Sequence, residues 1–376
     1  MRYKTILTGM LMLTTAGAVC AQDFNDPAEF KRQRDLLSMT AEGPEGQPWV
    51  QHLGGGMVET AKYKKEGAHT ICFSNAGIFN PWRVVGMNNL TAEAELHKDK
   101  IKELVVLDAE GKDDKQISDI QSLVSGGKCD VLIVSPNTTA ALTPAVEAAC
   151  DKLPVIVFDR GVNTKCPVTY IHPVGGYGFG ITSGDFIAGK LKKGENVLAL
   201  RIVPGVDVLE TRYSAAKRIF DEAGLNVIGS EFTGSDRAKT KAVVEDYINR
   251  GEKIDAVWMD AGDTATAALE AFEDAGLPYP VISGEDQQDF LRKWQKEKLV
   301  AIGPSYPTYQ WRTPIIAALD ILDGTSVPGP EWNLPQPAIT EDTLASFIDE
   351  RMPALHYSLC GCQDLPGYPG RWGGKK

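Results

Sequence analysis

The chain has 376 residues, 43% of them hydrophobic and 24% charged. It is too long for one ordinary domain and too balanced for a disordered or fibrous protein. Its formal net charge of -11, with no basic block, argues against nucleic acid or anionic membrane as a partner, since both are bound by clustered positive charge.

The first element is a processing signal. Arg2 and Lys4 precede an uncharged, apolar or small-residue run over 5–19, too short to span a bilayer. Val19-Cys20-Ala21 then presents a small-residue cut site, so residues 1–21 read as a signal peptide cleaved after Ala21. Lipid anchoring through Cys20 is the rival reading. Val19 is bulkier than such sites usually accept, and simple export to a bacterial periplasm is favoured. No later segment reaches spanning length without a charge.

Beyond Cys20 lie Cys72, Cys129, Cys150, Cys166, Cys360 and Cys362. An even count in an oxidising compartment points to disulfides, but connectivity does not follow from sequence. Cys150 and Cys166 flank one predicted strand and could close a short loop. Cys360-Gly361-Cys362 could staple a turn-rich tail, while Cys72 reads equally as an inert buried thiol. The scattered histidines and the absence of CxxC spacing give no support for zinc, and no cofactor is expected.

Residues 22–66 form a polar extension with a helix near 27–39 and a glycine run at 54–56. From residue 69 the pattern changes to short apolar, β-branched strands alternating with amphipathic helices. Strands are read at 69–74, 103–108, 130–135 and 153–159, with helices between them. The pattern restarts with strands at 196–202, 226–232, 256–260 and 280–284, separated by helices at about 211–223, 238–250, 263–275 and 287–297. A strand at 298–303, a helix at 309–322 and a four-proline crossover at 328–337 follow. Such alternation gives parallel sheets covered on both faces. Two series give an α/β protein of two doubly wound lobes.

In open α/β sheets, ligands bind beyond the carboxyl ends of the strands. Those ends carry Asn80, Trp82 and Arg83, then Asp159 and Arg160. The second series carries Arg212, Ser235, Asp260, Glu285 and Asp286. Carboxylates accept from hydroxyls, arginine donates in a rigid fork, and an indole covers the C–H face of a sugar. Each residue also has a plain reading. Asp159-Arg160 can be a surface ion pair, Asn80-Pro81 a helix start, and Arg212 a solvated helix residue. Their recurrence at strand ends favours a site for a carbohydrate or polyol.

The stretches 78–83, 154–160, 184–189 and 281–286 together resemble the type I periplasmic solute-binding proteins. The likeness is specifically to the ribose-binding-protein-like sugar group of ABC importers, over about residues 67–340. The resemblance implies a three-strand hinge near 172–174, 304–307 and 334–338. It implies lobe 1 at 67–172 plus 306–334, lobe 2 at 173–305 plus 335–359, and a tail at 360–376. Carried over by position, Asn80, Trp82, Arg83, Asp159 and Arg160 are first-lobe contacts. Arg212, Ser235, Ala261 and Asp286 are second-lobe contacts, and Ser305 sits at the hinge where ribose binders use a glutamine. Arg83 and Ser235 replace aromatics, and Ala261 replaces an asparagine, for which Asp260 or Asp263 would compensate. The implied activity is capture of a sugar, polyol or sugar derivative by hinge closure and delivery to a membrane permease. A monomer is expected.

Three other functions share parts of this pattern. An exported enzyme lacks any nucleophile elbow, zinc-protease or P-loop motif. A repressor sharing the core would need a basic helix-turn-helix where the export signal stands. A periplasmic sensor presenting sugar to a chemoreceptor or kinase differs only in its partner.

Overall fold

The computed structural model describes residues 24–375, so the predicted signal peptide lies outside the described residues. In chain order the strands are β1 (Gly56–Val58), β2 (His69–Asn75), β3 (Ile101–Asp108), β4 (Val131–Ser135), β5 (Val155–Phe158), β6 (Thr169–Pro173) and β7 (Asn196–Arg201). They continue with β8 (Asn226–Phe232), β9 (Ala256–Met259), β10 (Val281–Ser283), β11 (Ala301–Pro304), β12 (Val327–Gly329), β13 (Glu331–Leu334) and β14 (Ala338–Ile339). Two six-stranded sheets result, in the orders β13-β6-β5-β4-β2-β3 and β14-β11-β10-β9-β7-β8. The first is parallel throughout, and in the second only β14 runs antiparallel to its neighbour.

The physical cause is burial on both faces. Every position of β2 and β4 is buried, so a run such as Val131-Leu132-Ile133-Val134 has no solvent face and needs helices above and below. The first lobe closes around Trp311, which packs edge-on against Phe73, Phe158 and Trp82 with centroids 6.1, 5.1 and 5.5 Å away. The helix Pro81–Leu96 reaches this indole only because Gly86 lacks a side chain. A Cβ there would lie 2.3 Å from the Trp311 ring.

The chain passes between the two sheets after β6, after β11 and between β13 and β14. The proline-rich crossover at 328–337 contains β12 and β13, so it is more regular than the sequence reading had it. The helix Gly176–Lys190 was unread, and strand β6 was read only as the hinge crossing near 172–174.

Both additions to the core touch both lobes. The N-terminal helix Pro27–Leu37 buries Phe30 against Tyr177, Ile181, Ala215 and Ile219 of the second lobe. Further on, β1 pairs with β12, and the Leu53 amide donates to the Asn333 carbonyl of the first lobe. The C-terminal tail, the whole segment beyond β14 and so longer than the expected 360–376, lays Met352, Cys360, Cys362, Leu365 and Trp372 against Val85 and Ala92 of the first-lobe helix. It is also held to the second lobe, where Asp286 accepts from the Leu359 amide at 2.7 Å and the Gln288 amide donates to the His356 carbonyl.

Disulfides join Cys72 to Cys129, Cys150 to Cys166, and Cys360 to Cys362. The free-thiol reading of Cys72 is therefore corrected. Strand β2 and the residues before β4 are neighbours in the sheet, which brings the distant Cys129 within bonding reach.

Arg312 ties the tail and the N-terminal extension to this core. Its Nε donates to Glu93 at 2.6 Å and its fork to Asp364 at 2.7 and 3.2 Å, while it stacks over Trp49 at 3.7 Å. Arg312 and Glu93 are each 2% exposed. Arg312→Ala leaves the buried Glu93 carboxylate with only His97 Nε2, 3.0 Å away, as a side-chain partner, with an expected loss of about 3 kcal/mol. Urea unfolding checks it, and an unchanged midpoint contradicts it.

Candidate functional site

Asn80 caps the helix Pro81–Leu96, accepting from the Arg83 amide at 2.9 Å, and Pro81 occupies the first turn. This fixes where Arg83 leaves the helix. Its guanidinium runs beneath the strand ends and donates to Asp159 at 2.6 Å, with weaker bonds to Asn75 and Ser135 at 3.3 and 3.4 Å. Both partners are buried, Arg83 at 1% and Asp159 at 5% exposure. Burial pulls the Arg83 pKa down to about 10, offset by Asp159, so the arginine remains charged at neutral pH. Asp159 holds φ at 69°, a left-handed conformation that costs a non-glycine residue about 1–3 kcal/mol. Its carbonyl accepts from Tyr306 at 2.9 Å and Tyr170 at 3.3 Å, which pins the strained turn. The Trp82 indole donates to the Tyr306 carbonyl at 2.7 Å, joining the wall to the crossing after β11.

The opposite wall comes from the second lobe. Arg212, on the helix Asp207–Ala223, donates to the Asp260 carbonyl and lies 3.7 Å from Glu285. Its guanidinium stands 4.2 Å from the Phe179 ring and 4.8 Å from that of Tyr306. Ser235 is the second non-glycine cleft residue with a left-handed backbone, at φ 56°. Gly262 is required by close approach, because a Cβ would lie 2.2 Å from the Glu285 nitrogen. Glu285 accepts from the Tyr357 hydroxyl at 3.2 Å, so the C-terminal tail contributes to the cleft.

Between the walls is a cavity of about 240 Å³. Asn80, Trp82, Arg83, Asp159, Arg160, Arg212 and Ser235 line it together. Two buried atoms of its lining residues, Arg212 Nε and Asp263 Oδ1, have no protein partner. One is a donor and one an acceptor, and leaving either unpaired costs about 1–3 kcal/mol.

A periplasmic binding protein domain model matches residues 71–326. The chain belongs to this family. It is 30% identical over 293 residues to a ribose import binding protein of Bacillus subtilis, covering 78% of this chain and 92% of that protein. Its fold superposes on an ABC transporter solute-binding protein of Thermobispora bispora with TM-score 0.67 at 23% identity, covering 77% and 90% of the two chains. It also superposes on the fructose-binding periplasmic domain of a hybrid two-component system, with TM-score 0.63 at 23% identity over 74% and 92%. The expected architecture of two doubly wound lobes is thus present in this binding-protein chain.

Three expected contacts of the binding protein do not line the cavity. Asp260 turns back into its own lobe, accepting from the Ile202 amide at 2.9 and 3.2 Å and lying 3.7 Å from Arg201. Asp286 is committed to the tail through Leu359. Ser305 donates to the Pro337 carbonyl, tying two crossings to each other. Their places are taken by Asp263, Glu285 and Tyr306. The sequence reading also missed an aliphatic wall, Ile202, Val203, Val206, Val208 and Leu209, and Phe79 opposite it. Alternate valines in the 202–209 loop were the available signal.

Burial raises the Glu285 pKa from 4.5 to about 8, opposed by Arg212. The folded state therefore binds this proton more tightly than the unfolded one. The resulting stabilisation is complete below pH 4.5 and is lost as pH rises through about 8. Glu285→Gln is expected to flatten the fall in stability between pH 5 and pH 8, read as denaturation midpoints across that range. A slope equal to that of the parent contradicts the assignment.

Proposed function

We propose that the protein is a periplasmic, non-enzymatic binding component that captures a sugar, polyol or sugar derivative between its lobes and delivers it to an ABC permease. The observation that carries this is the cavity's pairing of an unpartnered donor, Arg212 Nε, with an unpartnered acceptor, Asp263 Oδ1, beside the Trp82 face. Hydroxyl groups both donate and accept, and the C–H face of a sugar ring suits an indole. The ribose import relative supports the same ligand class. Glu285 and Asp263 balance the arginines without resort to catalysis.

The walls come from different lobes, so a ligand that bonds to both is bound best when they are together. It therefore stabilises the closed form by its preference for that form. The crossings after β6 and β11 and between β13 and β14 act as the hinge, as in the hinge-closing binding proteins. In this reading the first lobe holds the ligand through Asn80, Trp82, Arg83, Asp159 and Arg160, and the second lobe supplies selectivity through Asp263 and Glu285.

A sensor role is the second reading, favoured by the fold shared with a fructose-binding domain of a hybrid two-component system. The two roles share the ligand and differ in the membrane partner.

A thermal-shift screen against sugars, polyols and sugar acids is expected to give a concentration-dependent rise in melting temperature with a hydroxylated ligand. Arg160→Ala, which removes a half-buried arginine from the cavity wall, should weaken that ligand about tenfold or more while leaving the unliganded melting temperature nearly unchanged. Undiminished binding by this variant would rule out the site.

A further inference from the structure

The cleft continues past Asp159 and Arg160 into a second compartment of about 450 Å³. Asp159, Arg160, Val206, Val208 and Tyr306 line both spaces, so the two share one partition. The second compartment lies beyond the ends of β5 and β6, beside the start of the helix Asp207–Ala223. The N-terminal helix forms part of its wall through Glu29, Arg32 and Gln33.

Most polar groups there are already paired. Arg32 donates to Glu29 at 2.7 and 2.8 Å and lies 3.2 Å from Glu331. Gln33 donates to Glu29 and accepts from the Gly178 amide, each at 2.8 Å. Among the buried side-chain atoms of the lining residues, one is not paired. It is Nε2 of His172, a residue 5% exposed that forms part of the wall of this space. The other ring nitrogen, Nδ1, bonds the Pro173 carbonyl, which can only accept, so Nδ1 carries the hydrogen. Burial lowers the His172 pKa, only partly offset by Glu331, so the ring is neutral and Nε2 is a bare acceptor. Its match is an O–H or N–H donor. The Tyr170 ring, 4.3 Å from that of His172, sits beside it as an apolar surface.

We propose that this compartment is a second subsite, and that the preferred ligand is an uncharged two-unit carbohydrate, a disaccharide or glycoside, whose second unit donates a hydroxyl to His172 Nε2. The inference deepens the sugar-binding reading and rests on it. An acidic second unit is disfavoured, because it would meet Glu29, Glu331 and an acceptor-only nitrogen, while Arg32 is already engaged by both glutamates.

The test is isothermal titration calorimetry of the intact protein with D-galactose, D-fructose and D-glucose, then with lactose, sucrose and maltose. At least one disaccharide is expected to bind about tenfold or more tightly than its component free sugars. His172→Phe should remove about five- to tenfold of that advantage and leave free-sugar affinity within about twofold. His172→Gln, which keeps an acceptor, should retain the advantage, and equal melting temperatures of the variants exclude misfolding as the cause. Free sugars that bind while every disaccharide binds equally or more weakly overturn the subsite and leave the sugar-binding reading standing. Equal weakening of both ligand sets by His172→Phe also overturns it. Binding by neither set removes the sugar-binding reading and the subsite with it.

Discussion

The buried ion pair between Arg83 and Asp159 is the constraint on which the cleft depends. Burying two charges is costly, and the cost is offset only where geometry and further hydrogen bonds are good. Here Asn75 and Ser135 complete the guanidinium side, and Ser135 also donates to Asp159 at 3.3 Å. The pair joins the start of one helix to the end of β5, so it sets the distance between the two first-lobe segments that shape the cavity. It also fixes the turn that presents Arg160. In turn, the left-handed Asp159 is held by two tyrosine hydroxyls on its carbonyl, one of them from the crossing after β11. A change in that crossing is therefore transmitted directly to the ligand-facing turn.

The second lobe solves a different problem. It brings Arg212, Asp263 and Glu285 close while keeping the backbone near enough for a small cavity. Gly262 makes that approach possible at the strand ends, and Gly180 does the same for the helices, where a Cβ would lie 2.1 Å from the Arg212 carbonyl. The glycines of the helix Gly176–Lys190 thus serve packing against the helix that carries Arg212. Their cost in helix propensity is met by tertiary contact.

Those glycines also explain what could not be read in the sequence. The strands β2, β4, β5 and β7 were legible because burial on both faces demands an unbroken apolar, β-branched run. The segment 176–190 carries no such pattern and was passed over, since its helix exists for close packing rather than by local preference. The same limit applies at the cleft. Asn80, Arg83 and Asp159 were legible because a cap, a helix start and a strand end fix which way they face. At 260–263 and 285–286 several carboxylates follow a strand within a few residues, and sequence does not say which turns inward. Asp263 and Glu285 enter the cavity, whereas Asp260 and Asp286 serve the Ile202 and Leu359 amides. Tyr357 was out of reach for another reason. It lies in a segment beyond the family core, and its backbone pairing with Gln287 and its hydrogen bond to Glu285 bring it to the cleft.

The two added segments have a consequence for signalling by shape. Each contacts both lobes, the N-terminal one through Phe30 and Leu53 and the C-terminal one through Asp286 and Val85. Any wide separation of the lobes must shear or release these contacts, so they narrow the range over which the empty molecule opens. A larger closed fraction without ligand raises apparent affinity, since less of the binding energy goes to shifting the population. It also lowers contrast: a membrane partner that recognises closure alone would meet unloaded molecules in nearly the same shape. Discrimination then has to come from the cleft rim, where Phe79 and Val203 stand exposed on opposite lobes.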